Sequence, residues 1–196
     1  MKKVLVFFCP FMLASFFLFA QEKISFTDIV KLDFKHLAKS KNRIQSKDQE
    51  YLPAFNQLIK DAERALLFQP VSVMNKTDVP PSGDKHDYMS IAPYWWPDPN
   101  KPGGIPYIRK DGEINPEVKN FTDKVVLPRL SASIYYLGLA YYFTGKDAYA
   151  AHAAKLIRVW FLDADTRMNP NLKYAQSVKG VTDGRAEGII DTRHFM

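Results

Sequence analysis

Cysteine is almost absent from this chain of 196 residues, with Cys9 the sole example. Cys9 lies in an apolar run, Val4 to Phe19, which follows Met1-Lys2-Lys3 and leads to Ala20. A basic start, an apolar stretch short of a ~20-residue membrane span and a small residue at its end predict an export signal over residues 1–20, cleaved before Gln21. The domain then occupies residues 21–196 and holds no cysteine at all. That excludes disulfides, a thiol nucleophile and cysteine-ligated zinc, so stability must come from a packed core. No stretch beyond Phe19 is apolar enough to cross a bilayer. Missing too are a G-x-S-x-G elbow, a P-loop, H-E-x-x-H and G-x-G-x-x-G. Asp98-Pro-Asn100-Lys-Pro-Gly103 mimics a calcium loop, but Pro102 takes its fifth position and Arg109 its twelfth, where a bidentate Glu belongs. The four histidines, His36, His86, His152 and His194, show no metal-ligand spacing, and no metal is expected.

Neither charge sign is scarce. Lys and Arg number 27 against 21 Asp and Glu, a net +6 that favours an acidic partner through long-range attraction. The hydrophobic and charged fractions, 46% and 24%, are those of a globular chain and exclude disorder and collagen. The length suits one domain.

Helical periodicity occupies both flanks. A short helix is predicted from near Asp33, carrying Leu37, Ala38 and Ile44. Ser46-Lys-Asp-Gln49 has capping-box spacing, and Leu52, Phe55, Leu58, Ile59, Ala62 and Leu66 follow at helical intervals up to Pro70. Val125 to Tyr141 predicts another helix with Gly145 as its C-cap, and Pro128 either kinks it or starts its main part. Asp147 can cap a helix reaching Trp160, and so short a turn makes the two antiparallel. The final Asp191 or Thr192 reads as the N-cap of a further helix. Between the flanks, residues 71–116 carry eight prolines that forbid long helices and central strands. The same stretch holds Tyr88, Tyr94, Trp95, Trp96 and Tyr107, which predicts an ordered surface loop with a function.

Three polar or aromatic sets could carry chemistry. Pro93-Tyr94-Trp95-Trp96-Pro97 offers braced indole faces that suit the C–H patches of sugars, or else plug the loop onto the helices. Asp84-Lys85-His86-Asp87-Tyr88 is either a His–Tyr proton-exchange pair or a solvated turn. Asn169, Asn171, Tyr174, Gln176, Arg185, Arg193 and His194 supply amides and guanidinium groups that suit hydroxyls and carboxylates.

Ser82-Gly-Asp-Lys-His-Asp-Tyr-Met-Ser90, Ala92-Pro-Tyr-Trp-Trp-Pro-Asp-Pro99, Pro106-Tyr-Ile-Arg109, Trp160-Phe-Leu162, Thr166-Arg-Met-Asn-Pro-Asn-Leu172, Tyr174-Ala-Gln176 and Gly188-Ile-Ile-Asp191, in that order, resemble the alginate lyase domain family. The likeness runs from about Phe34 onward. It implies an all-α fold, an (α/α) toroid of antiparallel helix pairs crossed by long loops. It also implies β-elimination on an acidic polysaccharide, alginate or another polyuronate, with no cofactor. The substrate cleft would include His86, Tyr88, Tyr94, Trp95, Trp96, Asn171, Gln176, Arg185, Arg193 and His194. Family members are longer, and their catalytic Asn-His pair and Tyr lie on later helices. This sequence has no Asn-His dipeptide, so it reads as an N-terminal half with its catalytic residues expected beyond Met196. The resemblance further implies a periplasmic or secreted protein, with neither nucleic acid nor membrane as partner.

Two other readings compete. Leu137 to Tyr149 looks like one tetratricopeptide-type hairpin, but repeats need about three copies to share a core, and no second copy occurs. A non-catalytic sugar-binding protein using Trp95 and Trp96 would bind alginate without cleaving it.

Overall fold

The computed structural model describes residues 32–195, with the backbone alone at Phe195. The expected export signal lies outside the described residues. Helix α1, Phe34–Gln45, begins as the sequence predicts: the Asp33 carboxylate accepts from the backbone N–H of Lys35 and His36. Helix α2, Leu52–Leu66, begins later than the capping-box spacing implied. Pro53 in its first turn has no N–H to satisfy, and Tyr51 stands at the N-cap without a side-chain bond. Ser46 instead closes α1, its hydroxyl donating to the Arg43 carbonyl at 2.9 Å.

Helix α3, Thr122–Thr144, runs through Pro128 and ends at Gly145, which adopts φ +70 and donates to the Tyr141 carbonyl at 2.7 Å. Helix α4, Asp147–Ile157, returns antiparallel and passes into a π-helical turn over Arg158–Leu162. The core lies between α2, α3 and α4, where Leu127, Leu130, Leu137, Tyr149, Leu156 and Trp160 are fully buried. Each such leucine contributes about 1.5–3 kcal/mol. Ala62 and Ala65 let α2 approach closely.

The expectation of an all-α toroid is overturned. Strands β1 (Met89–Ile91) and β4 (Tyr174–Ser177) form a parallel pair, and β2 (Trp95–Trp96) and β3 (Ile108–Arg109) an antiparallel one. The fold is mixed α/β, with helices predominant. The physical reason lies in the loop segments. Prolines limit residues 71–116 to short 3-10 turns in place of α-helix, yet buried backbone groups must still be paired. Short strands do this, extended by Ala92 N–H to the Ser177 carbonyl (2.9 Å) and Tyr107 N–H to that of Lys179 (3.0 Å). Ile91, Ala92, Tyr107, Phe121 and Val178 make a second core beneath these strands, with Trp95 packed against it.

The last described segment is a 3-10 helix, Ala186–Phe195, with Asp191 inside it and not at a cap. It lies hard against β4. A Cβ on Gly184 would meet the Lys173 carbonyl oxygen at 1.8 Å, and one on Gly188 would meet the Ala175 side chain at 2.5 Å.

Candidate functional site

Two buried aspartates organise the loops at one end of the helices. Asp87 is the first. Its carboxylate accepts from the Ser82 hydroxyl (2.7 Å) and from the amides of Asn169 (2.9 Å) and Asn171 (3.0 Å). Asn169 also donates to Asp84 at 2.9 Å, and His86 Nδ1 stands 2.6 Å from the Arg167 carbonyl. The 82–88 turn is thereby fastened to the 163–171 loop. Burial alone would push the Asp87 carboxyl up, but the three donors outweigh it and hold the group below its ordinary value.

Asp191 is the second. It accepts from Tyr88 (3.1 Å), Ser90 (2.6 Å), Gln176 Nε2 (3.3 Å) and the Lys124 ammonium. Ser90 Oγ in turn accepts from the Gln176 backbone N–H at 2.8 Å. Gln176 is buried and left-handed at φ +51, a conformation a non-glycine side chain holds only when its surroundings impose it. Burial, and then the neighbouring Asp191 charge, push the Tyr88 hydroxyl far above its ordinary range.

A third buried pair braces the site from beneath. Lys76 Nζ donates to Asp123 (2.9 Å) and to the carbonyls of Val73 and Lys85 (both 2.7 Å), and Asp123 also receives the Met89 N–H at 3.0 Å. Desolvation pushes the lysine down and the carboxyl up, each opposed by the other's charge.

The residues predicted from sequence separate by position. His86 and Tyr88 do not form the proton-exchange pair considered above, since one turns to the Arg167 carbonyl and the other to Asp191. Tyr88, Asn171 and Gln176 face inward, into the two aspartate networks. Tyr94 is 40% exposed, and its hydroxyl makes no hydrogen bond among the described residues. Trp95 is half-buried against the second core, its carbonyl accepting from Asn115 at 2.8 Å. Trp96 donates its indole N–H to the Glu113 carbonyl (2.9 Å) and lies under the Lys110 ammonium, 5.3 Å from the ring centre. Of the two roles weighed for the indoles, these contacts show the bracing one.

Arg185 pairs with Glu187 at 3.1 Å, while its buried Nε has no partner among the described residues. Arg193 is exposed and its Nε lies 3.4 Å from His194 Nε2. His194 borders a cavity of about 270 Å³ with Ser131, Tyr135 and Tyr136 of α3. A groove of about 610 Å³ between Asp78, Met89, Glu117, Phe121 and Lys179 contains none of the predicted residues. Sequence reasoning missed Asp191 as a hub, as well as Lys124, Asp123 and Lys76. The spacing of these residues carries no motif. No group of acidic, histidine or cysteine side chains suited to a metal occurs among the described residues.

Residues 72–196 match the family model described as alginate lyase. The crystal structure of an alginate lyase from Bacteroides ovatus superimposes with a TM-score of 0.77 at 50% sequence identity. The match covers 82% of this chain and 42% of that one, so the chain spans less than half the length of its relative. No curated protein matches it. The chain belongs to the alginate lyase family.

Proposed function

We propose that this chain forms a substrate-binding wall of a polysaccharide lyase that cleaves alginate or a related polyuronate by β-elimination. The observation that carries the reading is the family match across residues 72–196, which includes both loops joined by Asp87 and the whole Asp191 network. In such a reaction a base removes the C5 proton. The electron pair forms the C4–C5 double bond, and the C4–O4 bond breaks as an acid protonates O4. The C5 carboxylate needs a cationic or hydrogen-bonding neighbour to stabilise the charge that develops. Arg185 and Arg193 suit that need by type, and Tyr94, Trp95 and Trp96 offer partly exposed faces for sugar rings. Residues 1–20 would direct the protein to the periplasm or beyond it.

The test is to incubate the purified chain with alginates rich in mannuronate or guluronate and with glucuronan, following the ultraviolet absorbance of unsaturated ends. Growth of that absorbance on one polymer supports a lyase and names its uronate. Saturable binding without new absorbance would favour the non-catalytic polysaccharide-binding reading. A purified chain that neither binds nor cleaves any of these polyuronates overturns the proposal.

A further inference from the structure

Lys124 was not among the residues that the sequence marked, and its setting is unusual. It lies in the first turn of α3, where the helix dipole opposes a cation. Its ammonium bonds one oxygen of Asp191, a side chain with no exposure at all, while the lysine side chain is itself 31% exposed. Asp191 already receives three neutral donors, Tyr88, Ser90 and Gln176. Lys124 makes no other hydrogen bond among the described residues. An ammonium has three donors, so two remain for a ligand. The Gln176 amide shares the same Asp191 oxygen, which places a carboxamide beside the cation.

Resting on the polyuronate reading above, we infer that Lys124 is a specificity-determining residue that receives a uronate carboxylate of the substrate, with Asp191 as the residue that positions it. Asp191 holds the ammonium by a charge-assisted bond, on a side chain that is itself only partly buried. The partial exposure leaves it able to meet a second carboxylate without first losing the first.

The experiment compares binding of mannuronate oligomers with binding of the same oligomers after carboxyl reduction, by calorimetry. The wild-type chain should prefer the charged form by about tenfold or more, the worth of a charged hydrogen bond. The double variant Lys124→Met/Asp191→Asn removes cation and buried anion together, so neither charge is stranded, and should lose that preference. Lys124→Arg should retain it. A folded double variant that keeps the wild-type preference overturns the inference and leaves the lyase reading standing. A wild-type chain that binds neither form of mannuronate, guluronate or glucuronate oligomers overturns both. A second measurement needs no variant: saturating mannuronate oligomer should protect Lys124 of the wild type from reductive methylation, read by mass spectrometry. Undiminished labelling at saturation also overturns the inference.

Discussion

Single side chains here act chiefly through the charge they bury. Asp87 is held below its ordinary value of 3.8 by its donors. A carboxyl with a depressed folded pKa contributes stability that is fully present above the unfolded value and is lost as pH falls through the folded one. Acid unfolding of the wild type should therefore show a limb beginning just below about pH 4. Asp87→Asn should lack this limb and be less stable at neutral pH by about 1–3 kcal/mol, as denaturant titrations at stepped pH would show. Tyr88 has the opposite sign. Its folded pKa is raised, so its contribution is present below the ordinary value of 10.0 and falls as pH rises beyond it. Breaking the Lys76–Asp123 pair from one side strands a buried charge, and Lys76→Met should cost about 3–5 kcal/mol. Adding Asp123→Asn should recover much of that loss. A double variant no better than the single one would count against this account of the pair.

At the scale of elements, two glycines should respond oppositely to alanine. Gly138 lies exposed within α3, with open space where its Cβ would go. Gly138→Ala should stabilise the chain by up to about 1 kcal/mol through helix propensity. Gly184 faces the Lys173 carbonyl so closely that Gly184→Ala must push the 3-10 helix Ala186–Phe195 off β4. A loss of about 3 kcal/mol or more is expected in thermal or urea unfolding, with the Asp191 network disrupted as well. Much of the helical framework was legible from sequence, since Asp33, Gly145 and the 3.6-residue spacing of apolar positions are local signals. The start of α2 was not, because Ser46 could cap one helix or close the previous one. Pro53 decided between the two. The strand pairs were illegible for another reason. β1 and β4 lie more than eighty residues apart, and a dipeptide such as Trp95-Trp96 becomes a strand only because Ile108–Arg109 folds back to supply its hydrogen bonds.

For the molecule as a whole, net charge is the property most easily tested. With +6 overall, its affinity for a polyuronate should fall steadily as salt is raised, while any affinity for a neutral glucan stays level. Equal salt response for both polymers would remove charge from the account of recognition. Trp95→Ala or Trp96→Ala should weaken polyuronate binding by about 1–3 kcal/mol if the exposed ring face stacks on sugar. Unchanged binding by both folded variants would leave the indoles as braces alone.

The sequence by itself determined the helix-forming segments, the proline-enforced loops, the absence of cysteine from residues 21–196 and, through an ordered set of motifs, the family. These follow from nearest-neighbour sterics, side-chain periodicity and residue chemistry, all of which act within a few positions. Only the tertiary structure decided that the loops pair as strands, that Tyr88 and Gln176 turn inward, and that Asp191 gathers Lys124, Ser90 and Gln176 into one network. A carboxylate's role depends on which donors reach it and how much water is excluded around it. For Asp191 most of those donors come from segments far away along the chain, brought together when β1, β4 and the first turn of α3 pack at one end of the helices.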